Sequence, residues 1–305
     1  MHFSPKVEET RLYIEKMNVI RHFLQLFRIK QWTKNIFVFS GLLLSLDTLD
    51  WTAVGRSLLA FLLFCCISSS VYILNDMVDI EKDRLHPRKK LRPLPSGSIK
   101  LRHAVAALLL LGPCTLVASF WLNPQFGCVV AAYFLLNVSY CFKLKDYVFV
   151  DVIIISTGFV LRALSGIFVV EGRLSLWFLL AIAFLTLFLG LNKRKKEILT
   201  LAEGSHHHRK NLDKYSIALI NEIIPMLTSC TILSYSFFII YETGSKLMIV
   251  TIPMALYGIL RYQYLTSRTD YGESPELVLL KDKPIVLIML LWLVVYVSLL
   301  GQPFL

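Results

Sequence analysis

Long apolar stretches separated by short polar segments run through most of the 305 residues. A helix needs roughly 20 predominantly apolar residues to cross a bilayer, and windows of that length find nine candidates. The pattern therefore predicts an all-α, polytopic membrane protein, a bundle of nine transmembrane helices. The nine windows lie near 22–46, 55–75, 103–121, 125–142, 149–169, 175–192, 217–240, 247–264 and 284–301.

The first window is the least regular. Arg28, Lys30 and Lys34 interrupt its front half, so we expect that half to lie at the membrane interface or to line a polar cavity. Residues 1–20 are polar and have no apolar core, which favours a short cytoplasmic arm over a signal peptide. Residues 21–305 show no linker, internal repeat or shift in composition, so we expect one transmembrane domain there.

Composition and charge support this topology. Hydrophobic residues make up 56% of the chain, which is too apolar for a soluble domain of this size. Of the 32 lysines and arginines, 28 fall in segments that nine crossings place on one side, and the positive-inside rule makes that side cytoplasmic. We therefore expect a multi-pass protein of the inner membrane. The net charge of +11 then reflects the orientation in the membrane and a cytoplasmic opening of the bundle, its mouth, that attracts anions. We expect no nucleic-acid binding.

Three acids stand where the apolar run 58–74 ends, namely Asp76, Asp79 and Asp83, with Asn75 beside them. Offsets of three and four place them on one helix face, where like charges repel unless a cation lies among them. Carboxylate oxygens without Cys or His suit Mg²⁺. The spacing therefore predicts a magnesium site on these acids facing the cytoplasm, and the alternative is a solvated loop of mixed charge.

A basic run follows the acids directly. Guanidinium and ammonium groups bind phosphate oxygens, so this run would supply the counter-charge for a phosphorylated substrate. Its members are Arg84, His86, Arg88, Lys89, Lys90, Arg92 and Lys100.

Charged residues near later windows are further candidates. Asp151 and Arg162 are eleven residues apart, close to three helical turns, so both should face the same side. An arginine at membrane depth is costly unless it meets a carboxylate or a polar cavity, which makes Arg162 a functional candidate. The alternative is a structural ion pair with Asp151 or another buried acid. Lys145 lies in the short loop after the fourth window. Lys193 and Arg194 lie at the end of the sixth window, where a purely topological role is the alternative.

The acidic pattern resembles a known family. Asn75-Asp76-x-x-Asp79-x-x-x-Asp83 is similar to the first aspartate motif of the UbiA superfamily of intramembrane transferases. Further segments resemble its decaprenyl-phosphate phosphoribosyltransferase branch. These are Asp83-Arg84-x-His86-Pro87-x-Lys89-Lys90-x-Arg92-Pro93 with Gly97, Gln31-Trp32-x-Lys34-Asn35, Tyr140 with Leu144-Lys145 and Asp151, Gly158-Phe159-Val160-Leu161-Arg162-Ala163, and Lys193-Arg194-x-x-Glu197.

One departure from the wider superfamily separates its branches. Aromatic prenyltransferases of the superfamily carry a second aspartate-rich motif at the end of the sixth helix, but here residues 192–197 read Asn-Lys-Arg-Lys-Lys-Glu. Bases in place of acids remove a second metal site and attract anions. Phosphoribosyl pyrophosphate carries a phosphate away from its diphosphate, which prenyl diphosphates do not.

The resemblance implies a reaction and a set of residues. Phosphoribose would pass from phosphoribosyl pyrophosphate to a polyprenyl phosphate, with Mg²⁺ on the departing pyrophosphate and the lipid tail in the bilayer. A homo-oligomer is compatible with the sequence. The implied catalytic residues are Asp76, Asp79, Asp83, Lys34 and Arg162, with Lys34, Lys145 and Arg162 for the acceptor phosphate. The implied substrate-binding residues are Asn75, Arg84, Lys89, Lys90, Arg92, Tyr140, Lys145, Asp151, Lys193 and Arg194.

Two other functions remain open at this point. One is a UbiA-type prenyltransferase that moves an isoprenoid from its diphosphate to an aromatic or quinone-precursor acceptor. The other is a non-catalytic carrier or flippase that uses the same charged mouth to bind lipid phosphates. The cysteines show no ligand spacing. The tract His206–His208 could bind a metal weakly, but a solvated loop is the alternative, and we assign no site to it.

Overall fold

The computed structural model describes residues 21–45, 50–87, 89–202, 214–268, 278 and 281–299. Regular structure in these residues is helical, without a β-strand, which confirms the predicted all-α class. The α-helices are α1 Ser40–Leu44, α2 Trp51–Val78, α3 Ile80–Leu85, α4 Leu101–Leu122, α5 Pro124–Phe142, α6 Val150–Val169, α7 Leu176–Ala202, α8 Ile217–Glu242, α9 Thr251–Arg268 and α10 Lys283–Leu299. Short 3-10 helices cover Ile29–Phe39, Lys89–Leu91, Leu144–Asp146 and Lys246–Val250.

Six helices in the described ranges are long and apolar enough to cross a membrane: α2, α4, α5, α6, α7 and α8. They correspond to six of the nine predicted windows and make this a multi-pass membrane protein. The helix α10 is apolar but has 17 residues, and α9 carries a more mixed sequence. Nine spanning helices are therefore not confirmed.

The first window, 22–46, differs most from its prediction. Instead of one long α-helix, the structure has helical residues at 21–26, then the 3-10 helix Ile29–Phe39, and then the five-residue α1. The change begins at Arg28, whose backbone is left-handed with a φ of 50°, a conformation that ends a right-handed helix. We call residues 28–39 the N-terminal segment. Arg28, Trp32 and Asn35 of this segment bond to side chains of α2, whereas Lys30 and Thr33 are exposed.

Small residues allow the N-terminal segment and α1 to pack closely against α6. A Cβ atom on Gly41 would lie 2.1 Å from the carbonyl oxygen of Gly166, and one on Gly166 would lie 1.8 Å from the carbonyl oxygen of Val38. Neither position has room for a larger side chain. The hydroxyl of Ser40 also donates to the carbonyl of Ala163 at 3.1 Å. Such backbone contact between small residues is typical of helix packing in membranes.

Helices that follow one another along the chain pack as neighbours, including α4 with α5, α5 with α6, α6 with α7 and α7 with α8. Side-chain caps mark where they begin, because Asp50 accepts from the Ala53 amide at α2 and Asn123 accepts from the Phe126 amide at α5. This arrangement brings the end of α2, the α5–α6 connection and the end of α7 to one end of the bundle.

Candidate active site

Two of the predicted metal ligands converge on one cation. Asp76, near the end of α2, and Asp83, in α3, are both buried. The Nη1 atom of Arg92 donates to Asp76 at 3.0 Å and to Asp83 at 2.6 Å. Arg28 donates to Asp76 as well. Two carboxylates thus point at a single site of positive charge.

The third acid has a different partner. Both carboxylate oxygens of Asp79 accept from the ammonium group of Lys145, at 2.7 and 2.8 Å, and Lys82 lies 3.8 Å away. The α-helix breaks at Asp79, so the even spacing of a continuous helix does not carry through to Asp83. Among the described residues, no group of three or more His, Cys, Asp or Glu side chains is placed to hold a metal ion. Of the three acids predicted to hold a metal, Asp76 and Asp83 therefore share a partner, and Asp79 lies beside them with a partner of its own.

The donor atoms of this pair fit a hard divalent cation. Asp76 and Asp83 supply carboxylate oxygens, and their shared bond to one nitrogen of Arg92 shows that both can reach the same point. Magnesium in proteins commonly uses one or two carboxylates and completes its shell with phosphate oxygens and water.

Some residues of the basic run contact the acids, and others do not. Lys89 lies 3.9 Å from Asp83, so it joins Arg92 at the acids. Arg84 instead donates to Glu81 at 2.8 Å, and both side chains are exposed, while Lys90 is also exposed. Arg88 lies outside the described residues. Only part of the run therefore contacts the acids.

A second charged cluster lies at the end of α7, and we call it the Arg194 cluster. Its centre is the fully buried Asp151, which accepts from Arg194 Nε at 2.9 Å and from the Tyr215 hydroxyl at 2.6 Å. Arg194 also donates to Glu197, and Tyr215 accepts from the Phe149 amide at 2.8 Å. Burial, together with the hydrogen bond to Asp151, raises the pKa of Tyr215 above its ordinary value.

Arg162 lies in a polar cluster of its own. Its guanidinium donates to Asn35 Oδ1 at 2.8 Å, to the Gly158 carbonyl at 2.9 Å and to the Tyr133 hydroxyl at 2.8 Å. The rings of Tyr133 and Phe159 lie 4.8 and 5.2 Å from its Cζ atom. Every one of these partners is neutral.

The alternative of an ion pair between Asp151 and Arg162 is wrong, because Asp151 pairs with Arg194. Within the described ranges Arg162 makes no salt bridge. Its partner Asn35 donates to Ser68, eight residues before Asp76 in α2, which at 1.5 Å per residue is about 12 Å deeper along the helix. Arg162 therefore does not contact the acids at the end of α2.

The remaining predicted residues flank these clusters. Asn75, Lys34, Tyr140 and Lys193 are half-buried. Asn75 precedes Asp76, Lys34 is in the N-terminal segment, and Lys193 precedes Arg194 on α7. The tract His206–His208 lies outside the described residues.

Sequence reasoning missed three contacts. Arg28 appeared only as an interruption of an apolar window, yet it reaches Asp76. Tyr133 and Tyr215 hold Arg162 and Asp151, respectively. A charge inside an apolar window was a usable signal for Arg28. The tyrosines gave none, because tyrosine is common in membrane helices.

Comparison with known proteins identifies the family. A model of the UbiA prenyltransferase family matches residues 35–294. The decaprenyl-phosphate phosphoribosyltransferase of Mycolicibacterium smegmatis is 30% identical, with 90% of this chain and 91% of that protein covered. The same enzyme of Corynebacterium glutamicum is 29% identical, with 94% and 89% covered. The digeranylgeranylglyceryl phosphate synthase of Methanocaldococcus jannaschii is 35% identical, but only over 43% of this chain and 45% of that protein.

Solved structures share the fold. A UbiA homologue from Archaeoglobus fulgidus bound to GPP and Mg²⁺ superposes with a TM-score of 0.69 at 17% identity, covering 92% of this chain and all of that one. A digeranylgeranylglyceryl phosphate synthase superposes with a TM-score of 0.64 at 21% identity, covering 92% and 98%. The family match covers most of the chain, and the resemblance seen in the aspartate motif is confirmed. The chain is a membrane transferase that belongs to the UbiA prenyltransferase family.

Proposed function

We propose that the protein transfers 5-phosphoribose from phosphoribosyl pyrophosphate to a polyprenyl phosphate and releases pyrophosphate. The observation that carries this proposal is the basic end of α7. There Lys193, Arg194, Lys195 and Lys196 precede Glu197, so this segment carries four bases and one acid. A donor with a phosphate beyond its diphosphate would use that charge. Relatives named as phosphoribosyltransferases also match nearly the whole chain.

The donor site in this proposal is the end of α2. Asp76 and Asp83 would hold Mg²⁺, with Asp79 beside them. Bound there, the ion would neutralise the charge that develops on the departing pyrophosphate. Arg92 and Lys89, which already contact the acids, would bind the diphosphate oxygens. Arg84 is left out of this assignment because it faces Glu81.

The acceptor phosphate would lie next to the donor, held by Lys145 and Lys34. An oxygen of the polyprenyl phosphate forms a bond to the anomeric carbon as the bond from that carbon to pyrophosphate breaks. The transition state has oxocarbenium character, so fixed charges and positioning contribute more than a strong base. We assign Arg162 to positioning, because its donors are engaged about 12 Å deeper than Asp76.

The proposed topology has nine crossings in the inner membrane, with this site facing the cytoplasm. Its support is the meeting of cations from four sequence segments at one end of the bundle: Arg28, Arg92, Lys145 and Arg194. At the other end, an exposed pair joins Arg56 to Glu171. A cytoplasmic mouth would give direct access to a soluble sugar phosphate.

The test is pyrophosphate release by detergent-purified protein given Mg²⁺, a polyprenyl phosphate and phosphoribosyl pyrophosphate. We expect release that stops with EDTA and requires the lipid. No release under these conditions would contradict the proposal.

A prenyltransferase function is the second candidate, favoured by the solved UbiA homologues bound to GPP or DMAPP with Mg²⁺. The same assay separates the two. Turnover of a prenyl diphosphate with an aromatic acceptor, without turnover of phosphoribosyl pyrophosphate, would favour this second function.

A further inference from the structure

Arg28 has no role in the donor site as assigned above, although it touches the site's most buried acid. It donates to Asp76, and its Cζ atom lies 4.9 Å above the ring of Tyr72, one helical turn earlier in α2. The side chain is 22% exposed, whereas that of Asp76 is 2% exposed. Its guanidinium thus lies between a buried carboxylate and the mouth of the bundle.

The backbone around Arg28 is held in an unfavourable conformation. A φ of 50° is uncommon for a residue with a Cβ atom and persists only where the surroundings impose it. Here Ser69 of α2 provides the restraint, because its hydroxyl donates to the Phe27 carbonyl at 2.9 Å and accepts from Trp32 Nε1 at 3.1 Å. Residues on both sides of Arg28 are thereby tied to the helix that carries Asp76.

A deeper set of contacts fixes the rest of the N-terminal segment. Asn35 accepts from Arg162 and donates to Ser68, so it links α6 to α2. The close approach of Gly41 to Gly166 then fixes the end of the segment against α6. These restraints at both ends of the segment fix the position of Arg28 beside Asp76.

Arg28 and Arg92 approach Asp76 from different elements, and both are partly exposed, at 22% and 30%. A guanidinium group at such a position can keep a carboxylate on one side and bind a phosphate oxygen on the other. We infer that Arg28 is a substrate-binding residue that contacts the diphosphate of the donor, opposite Arg92. The identity of the donor rests on the proposed function, but a diphosphate leaves in both of the transferase reactions considered.

The experiment measures binding of pyrophosphate with Mg²⁺ by titration calorimetry on the purified full chain. We expect Arg28→Gln to weaken binding about tenfold or more, as loss of a charged hydrogen bond does. Arg28→Lys keeps the charge but loses the planar fork, so a smaller loss of roughly threefold is expected. The matched control is Arg102→Gln, since Arg102 is an exposed arginine at the start of α4. Its affinity should equal that of the unmodified protein.

Each outcome decides the inference. Unchanged or tighter binding by Arg28→Gln would overturn it, because Arg28 would then only balance Asp76. If that variant does not fold, unchanged binding by Arg28→Lys would overturn it equally. Absence of any binding by the unmodified protein would do the same. Weaker binding by the variants in a protein that does not turn over phosphoribosyl pyrophosphate would support Arg28 while contradicting the proposed donor.

Discussion

The clusters at the ends of α2 and α7 share one arrangement, an arginine between two acids, but differ in how exposed that arginine is. At α2, two buried acids, Asp76 and Asp83, share a base, Arg92, whose side chain is 30% exposed. At α7, a base that is 4% exposed, Arg194, is shared by two acids, Asp151 and Glu197. The cations of the first cluster are partly exposed to solvent, and the cation of the second is buried.

This difference in exposure indicates that one cluster binds a ligand and that the other stabilises the helix packing. A partly exposed arginine can exchange a carboxylate for a phosphate at modest cost, since water solvates it during the change. A buried arginine with two acids and a tyrosine at their side has no such freedom, and breaking its contacts leaves an unpaired buried charge. We therefore expect the α2 end to bind the ligand and the Arg194 cluster to hold α6, α7 and α8 in place.

The largest expected effect is loss of activity in Asp76→Ala. Removing a carboxylate from the proposed metal site should lower kcat by about 10²- to 10³-fold, as loss of a preorganised charge at a reacting group does. The fold should survive, because Arg28 and Arg92 can turn to water. Steady-state pyrophosphate release and thermal unfolding measure the two effects. Glu81→Ala is the control, since Glu81 is exposed and pairs with Arg84, and full activity in Asp76→Ala would remove the metal role.

The next effect is on stability. Arg194→Gln leaves Asp151 buried without its cation and should lower the free energy of unfolding by about 3–5 kcal/mol. The double variant with Asp151→Asn should recover part of that loss. Arg92→Gln should cost less, because Arg28 still pairs with Asp76 and Lys89 still lies near Asp83. Chemical denaturation in detergent compares the three, and equal losses for Arg92→Gln and Arg194→Gln would erase the contrast between the clusters.

A smaller effect is expected at Lys193, which precedes Arg194 but is only half-buried. Lys193→Ala should raise KM for phosphoribosyl pyrophosphate about tenfold and change KM for the lipid less, because one charged contact to the donor is lost. Initial rates at varied donor and acceptor concentrations test this. A larger change for the lipid would move Lys193 to the acceptor site.

The smallest effect concerns Tyr215. Tyr215→Phe removes the hydrogen bond to Asp151 and should lower the free energy of unfolding by about 1 kcal/mol near neutral pH. The pKa of Tyr215 is raised in the folded protein, so its contribution is complete below the ordinary value of 10.0 and is lost as pH rises through the folded value. Above about pH 10, the free energy of unfolding should therefore fall more steeply with pH for the unmodified protein than for Tyr215→Phe. Parallel curves would contradict this.

Sequence reasoning was most accurate where contacts are local. The apolar windows predicted six helices that are long and apolar enough to span a membrane, and the short spacing of Asp76 and Asp83 agrees with their shared contact to Arg92. Residue spacing did not reveal the helix break at Asp79, whose side chain contacts Lys145 instead.

Contacts distant in sequence could not be predicted in this way. Arg162 bonds to Asn35, 127 positions away, and Asp151 bonds to Arg194, 43 positions away. Helical periodicity predicts the face on which a side chain lies, but not the helix that packs against that face. The alternative of an ion pair between Asp151 and Arg162 was wrong for this reason.

The most direct test of the central claim is mass spectrometry of the lipid product. Purified protein would receive Mg²⁺, a polyprenyl phosphate and phosphoribosyl pyrophosphate labelled with ¹³C in the ribose, with Asp76→Ala in parallel. We expect a lipid heavier by one labelled phosphoribosyl group, formed with one pyrophosphate per lipid and absent with the variant. A lipid of unchanged mass, or label released as free ribose phosphate, would contradict transfer to the lipid.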